Sequence, residues 1–260
     1  MMIRNNRYGL GILHSFIILL FLPNFALADN SATKLSNLDN TSPLNSFEVV
    51  FSADFNGFNV EAKHRLTQLD NGSFKESLLA KNMLGKISEY TIFDLSIDGQ
   101  IIPQQHIKHK KFFGNRTEKQ LFDWSKNSLT YSRNGKSREV KIQSGYLDVM
   151  SHKLQLREDI ANGRKNLSYT VISKGKLKQY QYQLVGHEVL KTPLGPLNTV
   201  VIERVTQSKS KYTKIWLASD WDHLIVRLEK MDRGETQEMV ITSGSLNGTP
   251  LIPLTIDVEN

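Results

Sequence analysis

The sequence predicts a mainly β protein, a strongly curved antiparallel meander (an open or half barrel) with one helix packed against the sheet. Three observations predict this fold class. Long segments alternate apolar and polar residues, turn residues recur along the chain, and one stretch shows helical spacing. Alternation with period two is typical of strands that bury one face, and closely spaced turns are typical of a sheet that curls.

The first strand pair is predicted between Phe47 and Leu66. Apolar residues fill every second position on both sides of Asn56-Gly57, a dipeptide that favours a two-residue hairpin turn. The turn fixes the register, which pairs Phe55 with Phe58, Phe51 with Ala62, and Phe47 with Leu66. Both strands therefore place their apolar side chains on one face.

The remaining strands follow further turn signals such as Asn71-Gly72 and Asn134-Gly135. At Asn71-Gly72 a strict two-residue turn would pair Leu66 with Ser77, so we expect a bulge or a longer loop there. Strands are predicted before the helix at Ser73–Lys81, Lys86–Leu95, Ile101–Lys111, Glu118–Trp124, Ser128–Tyr131 and Lys136–Gln143. Strands are predicted after it at Leu167–Ser173, Leu177–Leu190, Thr199–Gln207, Lys211–Ala218, Ile225–Lys230 and Thr236–Thr242.

The helix is predicted over Gly145–Gly163. Its apolar residues recur three and four positions apart, which is the spacing of one helical face. Either Ser144 or Asp148 is suited to cap its start, and Gly163 tolerates the left-handed conformation that ends a helix. The side predicted to face solvent carries Lys153, Arg157 and Glu158.

The N-terminus has the pattern of a secretory signal peptide, residues 1–28. Arg4 and Arg7 precede a short apolar run, and Ala26-Leu27-Ala28 supplies the small residues of a cleavage site after Ala28. The alternative is an uncleaved membrane anchor, but the run is shorter than the ~20 residues that a span requires. We therefore expect a periplasmic protein with a flexible leader at 29–45, one curved domain at 46–243 and a tail at 244–260.

Charge and cysteine content narrow the classes of partner. The chain has a formal net charge of +7 and no cysteine, which excludes disulfides, thiolate metal ligands and a cysteine nucleophile. Basic residues group at predicted hairpin ends, as a rim that includes Lys108, Lys110, Lys111, Lys176 and Lys211. The rim is either only solvated or meets lipid phosphates, lipopolysaccharide or another acidic envelope component. Export from the cytoplasm argues against nucleic acid as the partner of these basic residues.

No set of residues predicts catalysis, a metal site or a cofactor. His106 and His109 are three apart on a predicted strand, so they point to opposite faces. Asp148 and His152 are one helical turn apart. They form either an acid–base pair or a surface cap that lies beside a histidine. His64 falls on an apolar face opposite Val49. It is either a core histidine that bonds a backbone carbonyl or a residue that contacts a ligand. We expect no enzymatic activity.

The order of several motifs resembles the exported bacterial family known as domain of unknown function 3108, over Phe47 to Ser243. The most specific are the turn Thr192-Pro193-Leu194-Gly195 and the strand Trp216-Leu217-Ala218 that ends in an acidic residue. The others are Phe122-Asp123-Trp124, Leu147-Asp148-Val149-Met150-Ser151, a strand near Tyr169, Gly186 to Lys191, and Leu224 to Glu229, in which Ile225 replaces the usual proline. The resemblance implies a periplasmic half-barrel and no known enzymatic activity.

A curved sheet encloses an apolar concavity unless side chains fill it. Residues predicted to line such a groove are Phe51, Phe58, Tyr90, Tyr180, Tyr182 and Trp216. We therefore expect a non-catalytic binding or scaffolding protein for cell-envelope maintenance that holds a lipid or another apolar ligand. Two alternatives remain: a subunit that binds a protein partner at an exposed sheet edge, and an envelope hydrolase. If the helix fills the concavity, the aromatic residues only form a core.

Overall fold

A computed structural model describes residues 44–55, 58–83, 85–111, 114–208, 210–232 and 234–253. The strands before the helix are β1 (Phe47–Phe55), β2 (Phe58–Gln68), β3 (Phe74–Asn82), β4 (Gly85–Leu95), β5 (Ile101–Lys111), β6 (Asn115–Asp123), β7 (Ser128–Arg133), β8 (Lys136–Lys141) and β9 (Leu147–Asp148). The helix α1 is Ser151–Ala161. The strands after it are β10 (Ser168–Ser173), β11 (Lys176–Thr192), β12 (Gly195–Arg204), β13 (Lys211–Ala218), β14 (Leu224–Asp232), β15 (Glu235–Leu246) and β16 (Thr249–Pro250).

All these strands join one large sheet, so the predicted fold class is confirmed. From one edge to the other the order is β8-β7-β6-β5-β4-β3-β2-β1-β15-β14-β13-β12-β11-β10-β9, and β16 pairs with β15. Neighbours are antiparallel except β9 and β10, which are parallel. The sheet is not closed into a barrel, because β8 and β9 at its two ends do not pair with each other.

The first hairpin has the register that its Asn-Gly turn predicts. Phe47 lies opposite Leu66, Phe51 opposite Ala62, and Phe55 opposite Phe58. The next connection is longer than two residues, as expected: Leu66 pairs with Glu76, and the Leu69 amide donates to the Ser73 carbonyl at 2.8 Å. Local turn chemistry therefore fixed the strand register in this part of the sheet.

The helix is shorter than predicted and begins six residues later than Gly145. Leu147 and Asp148 form β9, which pairs with Val171 and Ile172 of β10. This pairing holds the segment extended, so its apolar residues pack into the core without helical geometry. The Asp148 carboxylate then accepts the first free N–H groups of the helical turn, from Met150 at 2.7 Å and Ser151 at 3.1 Å. Asp148 thus serves as the predicted cap from a position outside the helix.

One of the three helix residues predicted to face solvent is buried, whereas Lys153 and Glu158 are partly exposed. Arg157, predicted to face solvent, is buried and donates from Nε to the Asp222 carbonyl at 2.8 Å and from Nη2 to Asp222 Oδ2 at 2.5 Å. Its guanidinium also lies 5.2 Å from the centre of the Phe47 ring. A long side chain that meets an acidic loop and an aromatic face can be buried despite its charge.

A second, smaller core lies where the two ends of the sheet approach each other. Leu129 and Tyr131 of β7 pack there with Ile142 and with Ile172 of β10. Gly175 in the β10–β11 turn has a positive φ of 65°, and a Cβ at this position would lie 2.7 Å from the Tyr131 ring. The seam between the sheet ends is therefore closed by side-chain packing in place of a hydrogen-bonded ladder.

The C-terminal strand extends past the predicted domain boundary at residue 243. β15 continues to Leu246, and Leu251 donates its amide to the Gly244 carbonyl at 2.9 Å. The predicted signal peptide and nearly all of the predicted leader lie outside the described residues. Within the described ranges, no helix has the length and apolar character needed to span a membrane.

Candidate functional site

Asp148 is the centre of a buried polar network at the start of the helix. Its Oδ2 accepts hydrogen bonds from Thr91 Oγ1 at 2.7 Å and from Ser151 Oγ at 2.9 Å, while Oδ1 accepts the two helix amides. The carboxylate is fully buried, and all four of its bonds come from neutral donors fixed by the fold. Its role is therefore to join the helix start to β4.

His152 does not form an acid–base pair with the Asp148 carboxylate. Its Nδ1 lies 3.2 Å from the Asp148 backbone carbonyl, and its Nε2 lies 3.1 Å from the Tyr182 hydroxyl. Complete burial lowers the pKa of His152 to about 3, so the ring is neutral at pH 7. A neutral ring that donates a hydrogen bond from Nδ1 accepts one from the Tyr182 hydroxyl at Nε2. Both residues are buried, unlike the surface cap that the sequence offered as an alternative.

A second buried network joins β4, β5 and β6. His106 Nε2 lies 2.8 Å from Glu89 Oε1, and Lys108 bonds the other Glu89 oxygen. Burial opposes both charges, but the hydrogen bond from His106 and the charge of Lys108 lower the pKa of Glu89 to about 2. The bond to Glu89 and the charge of Asp148 likewise raise the pKa of His106 despite its burial.

Gln120 completes this network beside His106. Its amide nitrogen lies 3.1 Å from His106 Nδ1, and its Oε1 is buried with no partner among the described residues. With the Nε2–H of His106 donated to Glu89, Nδ1 accepts from the Gln120 amide nitrogen. The network therefore holds a buried histidine between a carboxylate and an amide.

The two other histidines examined from the sequence also have structural contacts. His106 and His109 point to opposite faces as predicted, and His109 Nδ1 bonds Thr117 Oγ1 at 2.9 Å. His64 pairs with Val49 as predicted, but its Nε2 bonds Glu76 Oε1 at 2.7 Å, where we expected a backbone carbonyl. No group of three potential metal ligands occurs among the described residues.

The structure divides the six predicted groove residues between two faces of the sheet. Phe51, Tyr180 and Tyr182 lie on the face toward the helix; the first is fully buried, and both tyrosine rings contact the His152 ring. Tyr90 lies between Glu89 and Thr91, whose side chains point toward the helix, so its ring lies on the other face, under the Lys75 ammonium. Trp216 also faces away from the helix, where its Nε1 donates to Glu188 Oε1 at 2.6 Å. The side chain of Phe58 lies outside the described part.

The helix packs closely on the sheet near β1. The cavity between Phe47, His64, Leu154 and Leu224 measures about 10 Å³, which is too small for an acyl chain. A larger opening of about 450 Å³ lies at the end of the helix, beside Asp159, Arg164 and Tyr169. Its charged groups bond each other, since Asp159 accepts from the Tyr169 hydroxyl at 2.7 Å and lies 3.3 Å from Arg164 Nε.

An excess of positive charge lies at one end of the sheet. In an antiparallel meander, alternate turns lie at the same end. The end regions of four hairpins, residues 108–118, 131–138, 171–178 and 203–214, contain thirteen described lysines and arginines but only two glutamates. We call these four hairpin ends the basic end. Four of the connections at the opposite end, 69–73, 96–100, 124–127 and 219–223, contain four aspartates and one lysine, and the β11–β12 turn at 193–194 has no charge.

The basic end is continuous across the seam of the sheet. The β5–β6 and β7–β8 hairpins are neighbours, as are β10–β11 and β12–β13. The two pairs meet where Arg138 Nη2 donates to the carbonyls of Lys174 and Gly175, at 2.7 and 3.1 Å. Sequence reasoning placed basic residues at separate hairpin ends but missed Arg138 and Lys174 as the link. The available signal was the alternation of turns, which brings these four hairpin ends together.

All five predicted rim lysines belong to the basic end, but their surroundings differ. Lys108 bonds Glu89 and Lys211 lies 3.1 Å from Asp232 Oδ1. Lys110 lies on the same strand face as Lys108, whereas Lys111 is exposed and points to the opposite face. Lys176 is exposed in the β10–β11 hairpin. Within the described residues, Lys110, Lys111 and Lys176 have no carboxylate within ion-pair distance.

Two of the strand edges without a partner in the described sheet, those of β8 and β11, differ in the residues they expose. β8 pairs only with β7, and its six residues include Lys136, Arg138 and Lys141. From Gln183 onward, β11 pairs only with β12, so its other edge has no strand partner in the described sheet. Apolar side chains that are more than half exposed follow this edge at Leu184 (54%), Val185 (52%) and Val189 (56%).

Sequence comparison identifies the family. The family described as "Protein of unknown function (DUF3108)" matches residues 52–242, and the chain therefore belongs to it. The resemblance noted from the motifs is thus confirmed. Comparison with curated proteins found no match.

The first of three solved structures that align with this chain supports the fold. A β-barrel-like protein of domain of unknown function DUF1849 from Brucella abortus aligns with 80% of this chain and 100% of its own length, with 6% identity and a TM-score of 0.52. MucB in the Pseudomonas aeruginosa MucA/MucB complex aligns with 80% of this chain and 53% of its own, with 14% identity and a TM-score of 0.36. A DUF1329 family protein from Desulfovibrio piger aligns over 80% and 88%, with 12% identity and a TM-score of 0.24.

Proposed function

We propose that this chain is a non-catalytic binding protein of the periplasm that serves cell-envelope maintenance, and that its basic end docks on the phosphates of anionic envelope lipids. One observation carries the proposal: thirteen cationic side chains are concentrated at four adjoining hairpin ends, while the opposite connections are acidic. Such a charge distribution orients a protein toward a negative surface, and each cation near that surface contributes about 1 kcal/mol.

The close packing under the helix argues for docking of lipid headgroups at the sheet end. The cavity of about 10 Å³ near β1 leaves no room for a chain there. At the basic end, the neighbouring β3–β4 turn presents Met83, which is 88% exposed, and the sequence adds Lys81 and Lys86 beside it. An apolar side chain among lysines is suited to the boundary between headgroups and acyl chains.

Vesicle binding tests the proposal. The purified protein is expected to sediment with phosphatidylglycerol-containing vesicles and not with pure phosphatidylcholine, and salt is expected to weaken the binding. Lys136→Glu with Lys176→Glu is expected to weaken binding at least tenfold. The matched control, Lys165→Glu with Lys191→Glu, makes the same charge change away from the basic end and is expected to change binding less than twofold. Equal losses in the two double variants would contradict docking by the basic end.

A second candidate is partner binding at the exposed edge of β11, which we propose on the contrast between this edge and that of β8. Charged residues on an edge strand oppose pairing with another chain, and β8 has them. β11 offers exposed Leu184, Val185 and Val189 beside unpaired backbone groups, which suits strand addition by an extended segment of a protein partner.

Site-specific crosslinking in cells tests this edge. A photo-reactive residue at position 189 is expected to capture one protein in constant proportion, while the same residue at position 139 on β8 captures none. Val185→Lys is expected to abolish the capture at position 189 by placing a charge on the edge. Capture that persists with Val185→Lys, or that is equal at both edges, would remove this candidate.

A further inference from the structure

Lys110 is a partly buried cation without a carboxylate partner in the described part of the chain. It lies on the strand face that carries His106 and Lys108, near the end of β5. Burial and the charges of Lys108 and Lys174 lower the pKa of Lys110, and the nearby carboxylates of Glu118 and Glu89 offset this only in part. The charged form of a lysine in this position is disfavoured as long as no anion approaches it.

Three more cations surround Lys110 from two hairpins. Arg116 lies directly opposite it in the β5–β6 register, and Lys108 lies two residues earlier on the same face. Lys174 comes from the β10–β11 turn, which Arg138 holds against the β7–β8 hairpin. The cluster is therefore assembled by the closed seam of the sheet, and its members come from parts of the chain about 60 residues apart.

The nearby carboxylates leave this cluster with excess positive charge. Glu89 is shared by His106 and Lys108. Glu118 is buried and lies 3.9 Å from Arg133. Lys110, Arg116 and Lys174 thus have no ion-pair partner of their own among the described residues. A multiply charged anion with several acceptor oxygens fits several converging cations better than a single carboxylate does.

We propose that Lys110, Lys108, Arg116 and Lys174 form a phosphate-binding subsite within the basic end, and that its ligand is the phosphate group of a lipid headgroup. The proposal rests on the proposed lipid docking and names the residues that recognise the phosphate. Bound phosphate offsets the mutual repulsion of the lysines. Lys110 is then the half-buried member of the subsite that has no ion pair of its own among the described residues, so its charge gains from the anion.

The test compares Lys110→Met with Lys111→Met. The two residues are adjacent and their replacement removes the same charge, but they point to opposite faces, so nonspecific attraction falls equally in both variants. The probes are inorganic phosphate and vesicles of phosphatidylglycerol in phosphatidylcholine. Binding is measured by calorimetry and sedimentation, and NMR of ¹³C-labelled lysine follows the titration of the Lys110 ammonium. Lys110→Arg retains the charge, and the urea midpoint of each variant confirms that it folds.

We expect Lys110→Met to weaken binding of inorganic phosphate at least tenfold, Lys111→Met to change it less than twofold, and Lys110→Arg to restore most of it. Vesicle binding is expected to fall in both methionine variants, because each removes one cation of the basic end, and to fall several-fold further in Lys110→Met. We also expect phosphate to raise the pKa of Lys110. Equal effects of the two methionine variants, or a Lys110 pKa that phosphate leaves unchanged, would overturn the subsite. If vesicles bind Lys110→Met as well as they bind Lys111→Met, lipid docking stands and the subsite is wrong. If inorganic phosphate binds through Lys110 but vesicles do not bind, the subsite stands for a free phosphate and lipid docking is wrong.

Discussion

Arg138 and Lys174 are joined across the seam of the sheet: Arg138 Nη2 donates to the Lys174 carbonyl oxygen at 2.7 Å. The same guanidinium lies 5.2 Å from the centre of the Tyr131 ring, which packs against Gly175. These contacts connect β8 to the β10–β11 turn where no strand pairing does so. They also align the four hairpin ends that form the basic end.

Replacing Arg138 by methionine is expected to loosen the seam. The variant loses two hydrogen bonds from a charged donor and the contact with Tyr131, so we expect the free energy of unfolding to fall by about 1–2 kcal/mol. Urea unfolding followed by circular dichroism measures this change. Lys136→Met on the same strand removes an exposed charge and is expected to change stability by less than about 0.5 kcal/mol. Equal effects of the two changes would show that Arg138 does not hold the seam.

Asp148→Asn is expected to destabilise the fold strongly. The carboxylate accepts four hydrogen bonds in a fully buried position, whereas an amide group presents its own N–H groups to some of the same donors. We expect a loss of about 2–3 kcal/mol in the free energy of unfolding. The control, Asp123→Asn, changes a more exposed carboxylate in a turn and is expected to cost much less. A cost no greater than that of the control would contradict the joining role of Asp148.

His152 is expected to make the protein less stable in mild acid. Its pKa is about 3 in the folded state and near 6.5 when unfolded, so the unfolded chain binds a proton first as the pH falls. Between pH 6.5 and 4.5 this group removes up to about 1.4 kcal/mol of stability per pH unit. His152→Gln is expected to flatten the slope in this window. A slope unchanged by the substitution, measured by urea titration at each pH, would exclude His152 as its source.

The Glu89–His106 pair is expected to act in the opposite direction. Because the pKa of His106 is raised above 6.5 in the folded state, its contribution is complete below pH 6.5 and is lost as the pH rises through the folded value. Glu89, with a pKa of about 2, adds stability that is present above pH 4.5 and lost as the pH falls toward 2.

Glu89→Gln tests this pair. The substitution leaves His106 and Lys108 without their buried counter-charge, so we expect a loss of about 3–5 kcal/mol at pH 6 and a weaker decline of stability at alkaline pH. His109→Gln, on the opposite strand face, is expected to keep the alkaline decline. If the decline is as steep in Glu89→Gln as in the wild type, Glu89 does not raise the pKa of His106.

Residues close together in the sequence account for the parts of the fold that were predicted. The register of Phe47 with Leu66 followed from the Asn-Gly turn between them, and the opposite orientation of His106 and His109 followed from strand alternation. Both depend on backbone geometry within about 20 residues. The helix boundary was missed because Leu147 pairs with Val171, a contact that no local pattern contains. The burial of Arg157 was missed for the same reason, since its partner Asp222 lies 65 residues away.

The sequence by itself determined the fold class, the strand order of the first half, the family and the presence of lysines at hairpin ends. Only the tertiary structure decided which lysines meet. Lys110 and Lys174 become neighbours because the sheet curves until Tyr131 packs on Gly175, and curvature depends on packing summed over many strands. Local turn chemistry fixes pairs of strands, whereas the closing of the sheet depends on side chains that are far apart in the chain.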